Sequence, residues 1–247
     1  NYDVSQMRFD VITLFPELFA PFLAVGINRR AFEAKNGVCL VDVRLWNPRD
    51  FAEGTYRRID DRPFGGGPGM VMMAEPLRLC LEAIQTDRNQ DNHAPVVLFS
   101  PIGEKLDHAS VEKWSQSEGA VLICGRYEGI DQRFIDAYVD IQISLGDFVL
   151  SGGEIAAMAL LDAIARLQPG VLGDQDSHHL DSFNPALDGL LDCPHYTRPE
   201  IWADKGVQKT VPEVLLSGHH VNIERWRQEQ RLKLTTALRP DLLKKPI

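Results

Sequence analysis

Short runs of apolar, β-type residues recur along this chain with helix-periodic segments between them, and that alternation constrains the fold more than any other feature. Arg8 to Leu14 (RFDVITL), Val38 to Leu45, Pro95 to Phe99, Val121 to Cys124 and Val139 to Ile143 read as strands. Pro16 to Ala24 and Ile27 to Lys35 read as short helices, the second closed by Asn36-Gly37. From Glu75 onward, Leu77, Cys80, Leu81 and Ile84 fall at i, i+3, i+4 and i+7. Asp107 is placed to cap a helix through Glu118, and another helix runs from Glu154 to Leu167 before Pro169-Gly170 stops it. Such an order predicts an α/β fold, a parallel sheet flanked by helices on both faces. At 247 residues, 44% hydrophobic and 25% charged, the chain can bury one large core, or a core and a smaller domain.

Other classes are disfavoured. No apolar run reaches the roughly 18 residues of a membrane span, and the amino terminus lacks a basic-then-apolar signal pattern. Residues 1–6, ahead of Met7, where a strand-like run begins, read either as a leader or as an appended, non-native remnant. The cysteines at 39, 80, 124 and 193 form no C-x-x-C pair, so reduced thiols and a cytoplasmic location are expected. A net charge of −9 argues against non-specific nucleic-acid binding, yet residues 219–247 carry +4, through Arg225, Arg227, Arg231, Lys233, Arg239, Lys244 and Lys245. That local excess fits either a polyanion contact or a solvated helix face.

Three loops invite a ligand. The connection from Trp46 to Gly69 is long, rich in arginine, and ends in DDRPFGGGPGM; the run Gly65-Gly66-Gly67-Pro68-Gly69 offers free amides and little side-chain bulk, suited to an anion or a flat base. No Gly-Lys-Ser/Thr follows, so it is not a nucleotide-hydrolase phosphate loop, and no G-x-G-x-x-G follows the first strand. Gly125 to Asp131 and Leu145 to Glu154 each follow a strand, where parallel sheets bind ligands, and are taken as one site. Val171 to Asp192 holds five aspartates and no lysine or arginine, with Gly170, Gly173, Asn184-Pro185 and Gly189, as an interdomain linker would. Beyond it, Pro212 to Ser217 and Ile223 to Leu238 read as helices, with Ile223, Trp226 and Leu234 on the apolar face and the arginines elsewhere. His178-His179, Cys193-Pro194-His195 and His219-His220 lack zinc-finger spacing. On residues alone, a phosphotransferase using the glycine loop and a non-enzymatic RNA-binding regulator both stay open.

The strings DDRPFGGGPGMVMM, LFSPIGEKLD, CGRYEGID, GDFVLSGGE, PGVLG, DSF, GLLDCPHYTRPE and VPEVLLSGHH follow one another across nearly the whole chain. In them the chain resembles the bacterial tRNA (guanine-N1)-methyltransferases, within the trefoil-knotted superfamily of S-adenosylmethionine-dependent RNA methyltransferases. The resemblance implies methyl transfer to N1 of the guanosine just 3′ of the anticodon, in support of reading-frame maintenance, by a homodimer with sites at the subunit interface. It implies a knotted α/β domain over residues 1–172, a flexible linker over 173–183, and a small all-helical tRNA-binding domain over 184–247. S-adenosylmethionine would be held by Pro101, by Gly125, Arg126 and Tyr127, and by Leu145, Gly146, Phe148, Leu150, Gly152 and Gly153. Asp181 matches the base that takes the guanine N1 proton, and Arg166 the arginine that stabilises the resulting negative charge. Glu128 matches a carboxylate implicated in a magnesium requirement. Gly66 to Gly69 would contact the RNA substrate. Ser151 stands where the family more usually has threonine, and Ala203 to Thr210 is longer than the family's usual link.

Overall fold

The computed structural model describes residues 7–35, 37–89, 94–173 and 177–243. Residues 1–6, Asn36 of the expected helix stop, Asp174 and Asp176 of the acidic segment, and Lys244 and Lys245 of the basic tail lie outside the described residues. The chain divides into two compact units, Asn1–Gly173 and Asp174–Ile247.

In chain order the first unit contains β1 (Met7–Ile12), α1 (Phe19–Ala24), α2 (Arg29–Phe32), β2 (Val41–Trp46), β3 (Asp60–Asp61), β4 (Val71–Met72), α3 (Ala74–Asp87), β5 (Val96–Lys105), α4 (His108–Ser115), β6 (Gly119–Ile123), α5 (Gln132–Tyr138), β7 (Ile141–Ser144) and α6 (Glu154–Arg166). Five strands form one sheet in the order β2-β1-β6-β5-β7, and each neighbouring pair is parallel. Alternate residues point to opposite faces. Val97, Phe99, Ala120 and Leu122 enter one core with α1, α4 and α6, whereas Val96, Leu98, Val121 and Ile123 enter the other with α3 and α5. Two buried faces explain why these strands read as unbroken apolar runs.

One polar residue interrupts that pattern. Asp10 of β1 is fully buried and accepts from Arg88 Nε at 2.7 Å and from the Trp46 indole at 2.9 Å, with Arg8 Nε at 3.0 Å. The charge is tolerated because its oxygens are filled by donors.

Two local expectations change. The connection after β2 is not structureless: Pro48–Phe51 makes a 3-10 turn, whose preceding Asn47 side chain accepts from the Arg49 amide at 3.0 Å. Strand β5 does not end at Phe99. It pairs with β7 up to Phe99, loops out Ser100 to Gly103, and resumes at Glu104, so that Ile143 faces both Phe99 and Glu104. Pro101 has no N–H to give a ladder, and a Cβ on Gly103 would lie 2.6 Å from the Gln142–Ile143 backbone.

The second unit begins, in its described part, with 3-10 turns at Ser177–Leu180 and Pro185–Leu187. Residues 177–183 pack onto the segment from Asn184 to Asp192: Asn184 Nδ2 donates to the His178 carbonyl at 2.9 Å, and Ser182 Oγ accepts from the Asp192 amide at 2.8 Å. Strands β8 (Ile201–Asp204) and β9 (Val207–Thr210) come next, then α7 (Glu213–Leu216) and α8 (His220–Leu238). The expectation of an all-helical unit is therefore corrected: β8 and β9 form an antiparallel hairpin. Its turn residues Lys205 and Gly206 both have positive φ (50° and 84°), as a tight hairpin turn requires. On α8 the inward face includes Ile223, Trp226 and Leu234 as expected, but its most buried members are Arg231 and Thr235. Arg231, only 3% exposed, donates to Glu224 at 2.8 Å and faces Asp192 at 3.6 Å, so this arginine belongs to the packing and not to the open basic face.

Candidate active site

The loop after β6 is held open in a shape few sequences could adopt. Tyr127 takes a left-handed conformation (φ 59°), costly for a residue with a Cβ, and Gly129 comes two residues later at φ 120°. A ladder from β4 restrains them. The Glu128 amide donates to the Met70 carbonyl at 3.0 Å, Met72 to Gly129 at 2.9 Å, and Asp131 to Met72 at 3.0 Å. Asp131 then caps α5, accepting from the Arg133 amide at 3.0 Å; the Arg133 side-chain hydrogen bond leads the causes that bring its carboxyl down to about 2.

Because β4 continues directly from the glycine loop, the same ladder brings Gly69 beside the Tyr127 loop, whereas a Cβ on Gly66 or Gly67 would meet nothing within 4 Å. Gly65, Gly66, Gly67 and Gly69 all have φ between 78° and 107°. A Cβ on Gly69 would lie 2.5 Å from Glu128 Cγ, so the Glu128 side chain rests against the glycine loop.

The loop after β7 closes the other side. Ser144, buried at the strand end, exchanges hydrogen bonds with the Gly146 backbone at 3.0 and 3.1 Å. At the start of α6, a Cβ on Gly153 would lie 2.8 Å from Cys124 Cα, and one on Gly152 would lie 2.3 Å from Arg126 Nε. The two loops therefore touch backbone to backbone, with the Gly153 amide donating to the Gly125 carbonyl at 3.0 Å. Beneath them the buried carboxylate of Glu154 accepts from Thr13 Oγ1 at 2.9 Å and pairs with Arg126 Nε at 3.0 Å. Burial pushes the nearby Cys124 thiol well above its usual value, and the Glu154 charge adds to the shift.

Between the loops and the looped-out part of β5 lies a cavity of about 400 Å³. Pro101, Gly125, Arg126 and Tyr127 line it from one side, and Leu145, Phe148, Leu150, Gly152 and Gly153 from the other. Gly146 does not line it; a Cβ there would meet the Phe148 ring at 2.9 Å, so its smallness serves the packing of that ring. Sequence reasoning passed over Ser100, Gln142 and Ser144, which also face the cavity. Ser144 carried a readable signal, a polar residue closing an apolar strand just before a glycine loop. The volume and the mixed apolar and polar lining suit a nucleoside-sized ligand. A Cβ on Gly125 would make only ordinary contacts with Ile130 and Leu98, both in the cavity wall, at 3.7 and 3.8 Å, so packing alone does not require glycine there.

Arg166 lies elsewhere, half-buried at the last turn of α6, and Asp181 belongs to the second unit, where its amide donates to the His178 carbonyl at 3.3 Å.

The sequence pattern of the tRNA (guanine-1)-methyltransferase TrmD family matches residues 7–245. The chain belongs to this family. Among tRNA (guanine-N(1)-)-methyltransferases, the chain is 73% identical over 237 residues to that of Albidiferax ferrireducens, covering 96% of this chain and 92% of the relative. The relative from Polaromonas sp. is 71% identical over 241 residues, covering 97% and 90%, and that from Paracidovorax citrulli is 69% identical over 239 residues, covering 96% and 91%.

Proposed function

We propose that this chain transfers a methyl group from S-adenosylmethionine to N1 of guanosine 37 of tRNA, 3′ of the anticodon, and so supports maintenance of the reading frame. The observation that carries the reading is a full-length family match laid over one cavity, whose walls are the strand-end loops of that match. Bound S-adenosylmethionine supplies an already activated methyl group on a positively charged sulfur. What remains for the protein is the acceptor, because guanine N1 carries a proton at neutral pH and needs a base. Asp181 is the proposed base and Arg166 the proposed stabiliser of the negative charge left on the guanine. Gly66, Gly67, Pro68 and Gly69 lie against the RNA, where the absence of side chains at the three glycines lets backbone approach a base.

Other properties are proposed from the family. The carboxyl-terminal third of the α/β domain, residues 1–172, threads a trefoil knot; residues 173–183 link it to a tRNA-gripping domain over 184–247; and the enzyme works in the cytoplasm as a homodimer. Exposed Phe15, Leu18, Val25, Ile27 and Ile155 on the first unit support a buried partner surface. The open arginines of α8, among them Arg225 and Arg227, support the RNA grip. Among the described residues no helix is long and apolar enough to cross a membrane. Glu128 belongs to no group of three metal-ligating side chains among the described residues. Magnesium binds through one or two carboxylates together with water and substrate oxygens, so Glu128 suits that ion as one ligand among solvent and RNA oxygens.

The test is incorporation of labelled methyl into full-length tRNA carrying guanosine at position 37, against the same tRNA carrying adenosine there. Incorporation confined to the guanosine tRNA is expected. Equal incorporation into both would overturn the assignment.

A further inference from the structure

Glu154 is the first residue of α6 and is 1% exposed, an uncommon place for a carboxylate. One oxygen accepts from Thr13 Oγ1 at 2.9 Å, and that hydroxyl in turn accepts from the Phe15 amide at 3.0 Å. The other oxygen faces Arg126 Nε at 3.0 Å, although neither atom completes a well-formed hydrogen bond. The Arg126 guanidinium sits 4.5 Å from the centroid of the Phe15 ring, and its Nη1 reaches the Ser151 carbonyl at 3.4 Å. The charge pair thus ties together the segment after β1, the loop after β6 and the amino terminus of α6. It also dictates Gly152, whose Cβ would fall 2.3 Å from Arg126 Nε and 2.6 Å from Glu154 Oε2. A carboxylate taken out of water is costly unless paired, and removing one partner strands the other. Nothing in the methyl-transfer step requires a carboxylate beneath the cavity, so its use must be sought in what it holds.

We infer that Glu154 is a positioning residue, which acts through Arg126 to set the spacing between the two loops that enclose the donor cavity. Arg126, expected from the resemblance to bind cofactor, serves on this reading chiefly as the arm of that latch. The side chain is 21% exposed and spans from Glu154 to Ser151, so its charge is directed across the loops. Without the latch, Gly152 loses the contact that fixes its height over Arg126, and the cavity walls separate while the sheet beneath is unchanged. The inference rests on the cavity being the site of S-adenosylmethionine.

The experiment measures S-adenosylmethionine binding by calorimetry, and steady-state methylation of tRNA, for the wild-type chain, Glu154→Gln, Arg126→Gln and the double variant. Glu154→Gln preserves shape and the partnership with Thr13 but removes the charge. Each single variant is expected to raise the Kd and the KM for S-adenosylmethionine about tenfold, leaving the KM for tRNA within about twofold, and the double variant should be no worse than either single one. A role confined to fold stability would lower the melting temperature and the active fraction without changing donor affinity, and that result would overturn the inference. Should Glu154→Gln fail to fold, Arg126→Lys, which keeps the charge but shortens the reach, provides the same split between donor and tRNA constants. Wild-type chain that binds no S-adenosylmethionine would sink the functional reading, whereas wild-type binding matched by Glu154→Gln would sink the latch alone.

Discussion

Gly153→Ala is a one-methyl perturbation whose outcome can be worked out from the structure. The backbone at Gly153 (φ −81°, ψ −5°) suits alanine, so the substitution by itself should stabilise, by roughly 0.4–1 kcal/mol through the unfolded chain. Against this stands the neighbour: the new Cβ would lie 2.8 Å from Cys124 Cα and 3.3 Å from the Gly125 amide. Both are main-chain atoms at the end of a central strand, and neither can rotate away. Overpacking of this kind costs about 1–3 kcal/mol, leaving a net loss of about 1–2 kcal/mol. For a chain of this size that is a fall in Tm of roughly 2–8 °C. Since relief comes from moving α6 away from the β6 loop, S-adenosylmethionine affinity should fall about tenfold, equivalent to ~1.4 kcal/mol. Differential scanning calorimetry with and without S-adenosylmethionine reads both effects. Gly173→Ala is the control, having no atom within 4 Å of its Cβ position and no left-handed φ; it should stay within about 0.5 kcal/mol of wild type. If Gly153→Ala matched that control in Tm and in donor affinity, the close contact between the two loops would be refuted.

Asp181→Asn should abolish turnover while S-adenosylmethionine binding by calorimetry is kept, and undiminished turnover would remove Asp181 as the base. Asp10→Ala strands Arg88 inside the protein and should cost about 3–5 kcal/mol in urea unfolding; a loss under about 1 kcal/mol would show the network to be dispensable. Asp107 caps α4, and its hydrogen bonds from Ser110 hold its carboxyl below the usual value. Because the folded pKa is depressed, the cap contributes above the unfolded carboxylate range and is lost as pH falls through the folded value. Asp107→Ala should therefore cost about 1 kcal/mol at pH 7, with the deficit shrinking in acid, as paired unfolding curves would show. Arg225→Gln with Arg227→Gln should raise the KM for tRNA and flatten its salt dependence without changing the KM for S-adenosylmethionine; Arg231→Gln should instead lower the Tm.

Strands β5 and β6 could be read from the sequence because burial on both faces leaves an unbroken apolar run, and β1 because Asp10 alone is polar in its buried stretch from Phe9 to Ile12. The β8–β9 hairpin could not, since its residues are mostly exposed and its pairing depends on the Lys205-Gly206 turn, which resembles an ordinary polar link. Arg231 was misjudged for a related reason: charge reads as solvent unless partners are known, though Glu224 seven positions earlier lies on the same helix face. In the candidate site, glycines at strand ends were visible. The ladder between Met70–Met72 and Glu128–Asp131 was not, because backbone hydrogen bonds leave no side-chain signature. The Glu154–Arg126 pair was equally silent, since both residues are charged types that usually face water.

That ladder has a thermodynamic consequence. On the proposed function, tRNA held at the glycine loop would order the backbone laced to it, so that part of the ordering entropy of the Tyr127 loop would be lost before S-adenosylmethionine arrives. Linkage makes the benefit mutual: whatever factor tRNA contributes to donor affinity, the donor must return to tRNA. A small molecule lodged in the donor cavity should then be held more tightly by the tRNA-loaded protein than by the free one, so a screen run without tRNA would undervalue such molecules.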